Sequence, residues 1–206
     1  MSWLVQIVLD GLNSLFNLTG SYGIAIILLT VVIRTMLLPI TISQTRSQLK
    51  MQELNPKMAE LREKFKNDKD RLNRETMELW KKHKVNPLSG CLLAILQLPF
   101  LLAVFYALRQ VEYQGAARFL FFNLAEPDPW ILPLLAGVTT FWQSKLMGMA
   151  DPSQRTMTYV FPVLIAWISR QFPSGLAMYW VVANLYGVGE RYVMALFRKQ
   201  GEETAR

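Results

Sequence analysis

An arginine lies in the middle of the apolar run "LTVVIRTMLLP" at residues 29–39. Arg34 keeps its proton in proteins, so it cannot become neutral to suit an apolar environment. Placing such a charge at the centre of a lipid bilayer costs at least about 2.5–3.5 kcal/mol on insertion scales. The charge must therefore meet polar groups or water, and in a site of low dielectric it attracts acidic or carbonyl-rich ligands.

Several neutral polar side chains are placed to meet Arg34. Its own helix offers Thr30, Thr41 and Thr45 on the same face. The other apolar segments offer Gln97, Thr140, Gln143, Tyr179, Trp180 and Asn184. No Asp, Glu or His falls within the apolar segments, since the nearest acids sit at their ends or in loops. We therefore predict a water-filled hollow whose wall carries one uncompensated positive charge.

The same residues also permit plainer interpretations. Arg34 would then bond loop carbonyls and lock helices together. Gln97 and Gln143 would join neighbouring helices by hydrogen bonds. Tyr179 and Trp180 would pack in the core or anchor the chain at the membrane interface.

Residues needed for several kinds of chemistry are missing from the apolar segments. A proton-coupled transporter or an intramembrane protease needs titratable or nucleophilic groups at depth. The sequence also has no phosphate-binding glycine loop and no cluster with metal-ligand spacing, and its one histidine, His83, lies in a charged segment. We expect no enzymatic activity, no cofactor, no metal and no small-molecule substrate.

The composition is that of a membrane protein, with 52% hydrophobic residues among 206 and a mean hydropathy of +0.21. Five apolar segments predict an all-α polytopic fold with five transmembrane helices, an N-terminal interfacial helix and a cytoplasmic helical hairpin. The spans are placed at 20–43, 88–109, 128–147, 156–171 and 172–195. The other segments are an amphipathic interfacial helix (1–19), the hairpin (44–87), an extracytoplasmic loop (110–127), a cytoplasmic loop (148–155) and a basic cytoplasmic tail (196–206).

The distribution of Lys and Arg predicts the orientation of these spans. Eighteen Lys and Arg residues fall in segment 44–87, in residues 145–155 and in the C-terminal segment from Arg191 onward, against three on the opposite side. Because the more basic side is cytoplasmic, the N-terminus is expected outside and the C-terminus in the cytoplasm.

Long motifs in a fixed order resemble those of the YidC/Oxa/Alb membrane protein insertases. These are "TVVIR" at the arginine, "NPLSGCLLAILQLPF" (86–100), "DPWILPLLAGVTTFWQSKL" (128–146) and "FPSGLAMYWVVANL" (172–185). Two departures are visible: Leu93 stands where the family often has a proline after the cysteine, and the large extracytoplasmic domain of many members is absent. The resemblance is either to a minimal bacterial member or to a shortened form of a longer one.

The resemblance implies a groove that is open to the cytoplasm and to lipid but closed on the outer side. Its polar residues are expected to be Arg34, Thr30, Gln97, Gln143, Tyr179, Trp180 and Asn184. An apolar surface along which a substrate helix slides is expected to include Cys91, Leu92, Leu93 and Leu96.

The implied function is a membrane protein insertase or chaperone of the bacterial plasma (inner) membrane. It would carry short polar or acidic segments of nascent membrane proteins through the groove and release the apolar helix into the lipid bilayer. The ribosome and a Sec translocon are expected as further partners. A small-anion channel that uses the intramembrane arginine is the alternative, and a purely structural assembly factor is a third interpretation.

Overall fold

A computed structural model describes the backbone of residues 2–83, 85, 89–111, 113, 115–147 and 152–204, and the side chains of these ranges except residues 2, 89–97, 147, 152–155 and 197–204. This part of the chain is mostly helical. The elements are α1 (Ser2–Thr19), α2 (Tyr22–Met36), α3 (Leu38–Glu53), α4 (Asn55–Lys64), α5 (Lys69–Lys82), α6 (Ser89–Gln110), β1 (Arg118–Phe119), β2 (Phe122–Asn123), α7 (Ile131–Met147), α8 (Pro152–Ser169) and α9 (Ser174–Thr204).

Helix α1 folds back onto α2 through a tight turn. Gly20 adopts φ +67°, a left-handed conformation that glycine takes without a steric penalty. Beyond the turn the Phe16 and Tyr22 rings stack at 4.0 Å between centroids. Val8 and Leu12 of α1 are buried against α2 and α6. The location of α1 at the membrane interface stays a prediction.

The predicted first span consists of two helices, because the chain bends by 66° between α2 and α3. Pro39 at the start of α3 has no N–H for the Thr35 carbonyl, and its ring is incompatible with a straight helix there. Among the described residues, no single helix combines the length and the hydropathy of a membrane span. The bent pair α2–α3 does so when its two halves are taken together.

Helices α1, α2, α6 and α9 enclose the main apolar core, whose fully buried side chains include Leu12, Tyr22 and Leu124. Helix α7 packs between α8 and α9. Residues 111, 113 and 115–127 cover the end of the bundle where α2 and α9 begin, which we call the loop end. The opposite end, where α3 leads into α4, is called the hairpin end.

At the loop end the irregular segment is bonded directly to the start of α9. The Ser174 hydroxyl donates to the Glu126 carbonyl at 2.6 Å, and the Gly175 N–H donates to the Leu124 carbonyl at 3.1 Å. Strands β1 and β2 pair antiparallel, with Phe119 opposite Phe122. Backbone bonds and aromatic contacts thus hold the loop end together.

Gly23 allows Phe119 to lie directly on α2. A Cβ atom at position 23 would stand 2.0 Å from Cγ and 2.6 Å from Cβ of Phe119, so the whole ring would have to move. We expect Gly23→Ala to lower the melting temperature by about 5 °C, because overpacking typically costs about 1–3 kcal/mol. Gly189→Ala is the control, since a Cβ there meets open space. Equal melting temperatures of the two variants in detergent would refute this contact.

Helices α4 and α5 form the helical hairpin. The Asp68 carboxylate caps α5 by accepting from the Arg71 N–H at 3.0 Å. Phe65 is buried at the turn beneath the Arg71 guanidinium, whose Cζ lies 5.1 Å from the ring centroid. Helix α4 has no buried residue, so the hairpin packs only lightly.

Candidate functional site

Arg34 lies in the last turn of α2 and is half-buried. Its Nε atom is buried and has no hydrogen-bond partner in the part of the chain that the structure describes. Three side chains of α9 lie within electrostatic range of the guanidinium: Tyr179, Glu190 and Tyr186. A buried donor without a partner is costly unless water or a ligand satisfies it.

Helices α2 and α9 run side by side in the same direction. Ile26 packs at Gly175 near the loop end, and the Thr35 and Tyr186 hydroxyls are 3.0 Å apart near the hairpin end. Glu190 follows Tyr186 by four residues, so it lies one turn further along the same face of α9. This alignment of α2 and α9 brings the Glu190 carboxylate near the Arg34 guanidinium.

Glu190 corrects the expectation that the positive charge is uncompensated. Its Oε1 atom is buried and, among the described residues, has no hydrogen-bond partner. Sequence reasoning missed it because the apolar run 174–189 stops just before it, although the predicted fifth span (172–195) includes residue 190. The spacing of Tyr179, Tyr186 and Glu190 by seven and four residues was the available signal, because it puts all three on one helix face.

Thr30 sits one turn from Arg34 but in apolar surroundings. It is 1% exposed, and its hydroxyl donates to the Ile26 carbonyl of its own helix at 2.6 Å. The cavity beside it measures about 10 Å³, and Val8, Leu12 and Ile33 contribute to its lining. Thr41 and Thr45, also expected on this face, are buried on α3 beyond the bend.

A second polar cluster joins α7 to α9. The Asn184 side-chain nitrogen donates to Gln143 Oε1 at 2.7 Å, and its oxygen accepts from Thr140 Oγ1 at 2.8 Å, with the amide oriented so that both ends are satisfied. The Trp180 Nε1–H donates to Thr140 Oγ1 at 3.1 Å. Gln143 also packs directly on Gly187. Three residues predicted for the groove, Gln143, Trp180 and Asn184, therefore have hydrogen-bond partners on a neighbouring helix.

Thr140 connects both α9 side chains, so its hydroxyl is the centre of this cluster. We expect Thr140→Val to destabilise the protein by about 1–3 kcal/mol, because the shape is kept while Trp180 and Asn184 lose a buried partner. Val138→Ala, at an exposed position of the same helix, is the control. Thermal unfolding in detergent measures both; a Thr140→Val midpoint no lower than the control's would contradict the bonding described.

The remaining predicted residues lie outside the described side chains: Cys91, Leu92, Leu93, Leu96 and Gln97. The later part of α6 is described, and it faces an apolar cavity of about 160 Å³ between α6, α8 and α9. Leu101, Phe105, Ile165 and Trp180 are among the residues that line it.

At the hairpin end, Arg191 ties three helices together. Its guanidinium donates to Gln48 Oε1 of α3 and, at 3.3 Å, to the Leu146 carbonyl in the last turn of α7. Gln52 of α3 donates to the same carbonyl at 3.1 Å. The second half of α3, which leads into the hairpin and which we call the hairpin stem, is thereby bonded to α9 and α7.

At the loop end, Tyr113 stays neutral over a wide pH range. Burial, with a smaller contribution from Tyr22, raises the pKa of Tyr113 to about 12. The ring meets Tyr22 edge-on, and its hydroxyl donates to the Leu124 carbonyl at 3.4 Å. The loop end therefore presents packed aromatic rings, whereas the hairpin end presents charged and amide side chains.

Comparisons with known proteins agree with this architecture. Residues 14–201 match the 60Kd inner membrane protein family. The chain is 42% identical over 198 residues to a membrane protein insertase YidC of Fusobacterium nucleatum, covering 93% of this chain and 97% of that one. It is 41% identical to YidC 1 of Halalkalibacterium halodurans (93% and 74% covered) and 40% identical to MisCA of Bacillus subtilis (86% and 72%).

A solved structure described as an active YidC insertase with its first transmembrane domain resolved has the same fold. The TM-score is 0.76 at 24% identity, and the match covers 93% of this chain. This chain spans about half the length of that protein, with 46% covered.

Proposed function

This chain belongs to the 60Kd inner membrane protein family and to the YidC membrane protein insertases within it, and from that premise we propose how it inserts its clients. A short polar or acidic segment of a nascent membrane protein enters a hydrophilic groove from the cytoplasm and binds transiently at Arg34. The client's apolar helix then leaves the groove sideways into lipid. Because its relatives are insertases, we propose that this chain moves its clients without catalysing a chemical reaction.

The observation that carries this proposal is the pair of buried, unpartnered polar atoms between α2 and α9. Arg34 Nε and Glu190 Oε1 both lack hydrogen-bond partners among the described residues. Leaving either atom dry costs about 1–3 kcal/mol or more, so water between the helices is the expected partner. Water at this depth shortens the apolar path that a client's polar segment must cross.

The energy for insertion comes from the client itself. Burying its apolar helix in lipid gains about 0.8 kcal/mol per methylene group, while the charge contact at Arg34 lowers the cost of the polar tail in transit. The short apolar segments of α7 and α8 favour local thinning of the bilayer. The membrane potential contributes about 2.3 kcal/mol per charge per 100 mV to an acidic tail that moves outward.

The proposed topology has five spans at 20–43, 88–109, 128–147, 156–171 and 172–195, with the N-terminus outside and the C-terminus in the cytoplasm. The loop end, with its backbone bonds and packed aromatic rings, then faces the outer side of the membrane. The hairpin end faces the cytoplasm. Helix α1 lies at the outer interface. This arrangement opens the Arg34 region toward the side from which clients arrive.

The proposed polar wall of the groove comprises Thr30, Arg34, Gln97, Gln143, Tyr179, Trp180 and Asn184. The proposed apolar surface that contacts the client's transmembrane helix comprises Cys91, Leu92, Leu93 and Leu96. The hairpin and the basic tail form the docking face for the ribosome and a Sec translocon. Arg191 supports this role, because it bonds the hairpin stem to α7 and α9.

Reconstitution tests the proposal against its alternative. Proteoliposomes with the purified protein are supplied with a single-span client whose outer tail carries two aspartates, and also with a chloride gradient. We expect protease-protected client and no chloride flux above empty liposomes. Chloride flux without client insertion would instead establish the anion channel.

A further inference from the structure

Glu190 is a charged group in the candidate groove to which the insertion mechanism above assigns no effect on the choice of client. It lies on the α9 face that bears Tyr179 and Tyr186, and this face packs against the end of α2 that carries Arg34. A carboxylate at this depth is a natural competitor for any acidic segment that approaches the guanidinium.

The surroundings of Glu190 leave it available for such competition. Its chain neighbour Arg191 is bonded to Gln48 and to the Leu146 carbonyl. Glu190 Oε1 and Arg34 Nε are both buried, and neither has a hydrogen-bond partner in the ranges that the structure describes. The two charges thus share one buried region without the close bonds that a structural ion pair would form.

We propose that Glu190 is a specificity-determining residue that acts as an internal counterion of Arg34 and sets how many acidic residues a client tail needs in order to be inserted. This inference rests on the proposed insertase function. A neutral tail gains little at Arg34 while Glu190 holds the local potential near zero. A tail with enough negative charge outcompetes Glu190, and the arginine then stabilises the tail in transit.

The test measures insertion as a function of tail charge. Proteoliposomes with wild type or Glu190→Gln receive single-span clients whose outer tails carry zero, one or two aspartates. We expect Glu190→Gln to raise insertion of the one-aspartate tail about fivefold, the low end of typical coupling between interacting sites. The neutral tail should be unchanged, which separates a charge effect from a general change in stability.

Two further variants are controls: one keeps the carboxylate at position 190, and the other removes a negative charge elsewhere in the protein. Glu190→Asp keeps the carboxylate and should keep the wild-type dependence on tail charge. Glu126→Gln removes one exposed negative charge at the loop end and should also behave as wild type.

The outcomes separate this inference from the function on which it rests. If Glu190→Gln and wild type show the same dependence on tail charge while Arg34→Ala loses the acidic tails, the role of Glu190 is refuted and the insertase mechanism stands. If tail charge has no effect in wild type and Arg34→Ala inserts every client normally, the proposed mechanism falls and this inference falls with it.

Discussion

Arg34→Ala is expected to lower insertion of clients with acidic outer tails about 30-fold. A hydrogen bond to a charged group in a desolvated site contributes about 2 kcal/mol, which corresponds to this factor. Insertion is measured in proteoliposomes as the fraction of client tail that becomes protected from protease. Clients with neutral tails should change little, because they make no charge contact with the guanidinium.

Arg34→Lys is the matched variant for this experiment. It keeps the positive charge but removes the planar, five-donor guanidinium. Insertion close to wild type would show that charge attraction suffices, and insertion near the alanine level would show that the donor geometry is needed. An Arg34→Ala protein that inserts acidic tails as well as wild type would refute the role of Arg34.

Deletion of residues 56–83 is expected to lower insertion about tenfold while the bundle stays folded. The physical reason for the loss is that a tethered docking element raises the effective concentration of its partner near the groove. The bundle should survive because α4 buries no residue and because α4 and α5 pack chiefly on each other. Helix content and the melting midpoint, both followed by circular dichroism, measure the second part.

The control for the deletion is a flexible Gly/Ser segment of the same length in place of residues 56–83. It keeps the spacing between α3 and α6 and removes only the hairpin itself. Full insertion by this variant or by the deletion would refute a docking role. A collapse of helix content would contradict the independence of the bundle.

The sequence predicted the helical class and the family, because these depend on hydropathy runs and on local motifs; the role of Arg34 stays a prediction. It predicted a continuous helix through residues 20–43, whereas the structure bends at Leu37. Pro39 was visible in the sequence, but the angle of a bend depends on what the two helices pack against.

The site was less accessible to sequence reasoning, because side-chain partners depend on the register between helices. Gln143 and Asn184 were predicted to line the groove, which stays a prediction, and the structure pairs them with each other across α7 and α9. Glu190 was passed over because the apolar run was taken to end at Gly189, although the predicted span 172–195 includes residue 190. The parallel packing of α2 and α9 brings that acid to Arg34, and hydropathy alone contains no information on this packing.

The central claim is that water from the cytoplasm reaches position 34. In a Cys91→Ser background, a single cysteine at position 34 is treated with a membrane-impermeant thiol reagent, with Val32→Cys on the exposed surface of α2 as the control. We predict rapid labelling of position 34 in inverted vesicles, none in right-side-out vesicles, and no labelling of position 32 from either side. A cysteine at 34 that is unreactive in inverted vesicles, or that reacts from the outer side, would contradict the groove described here.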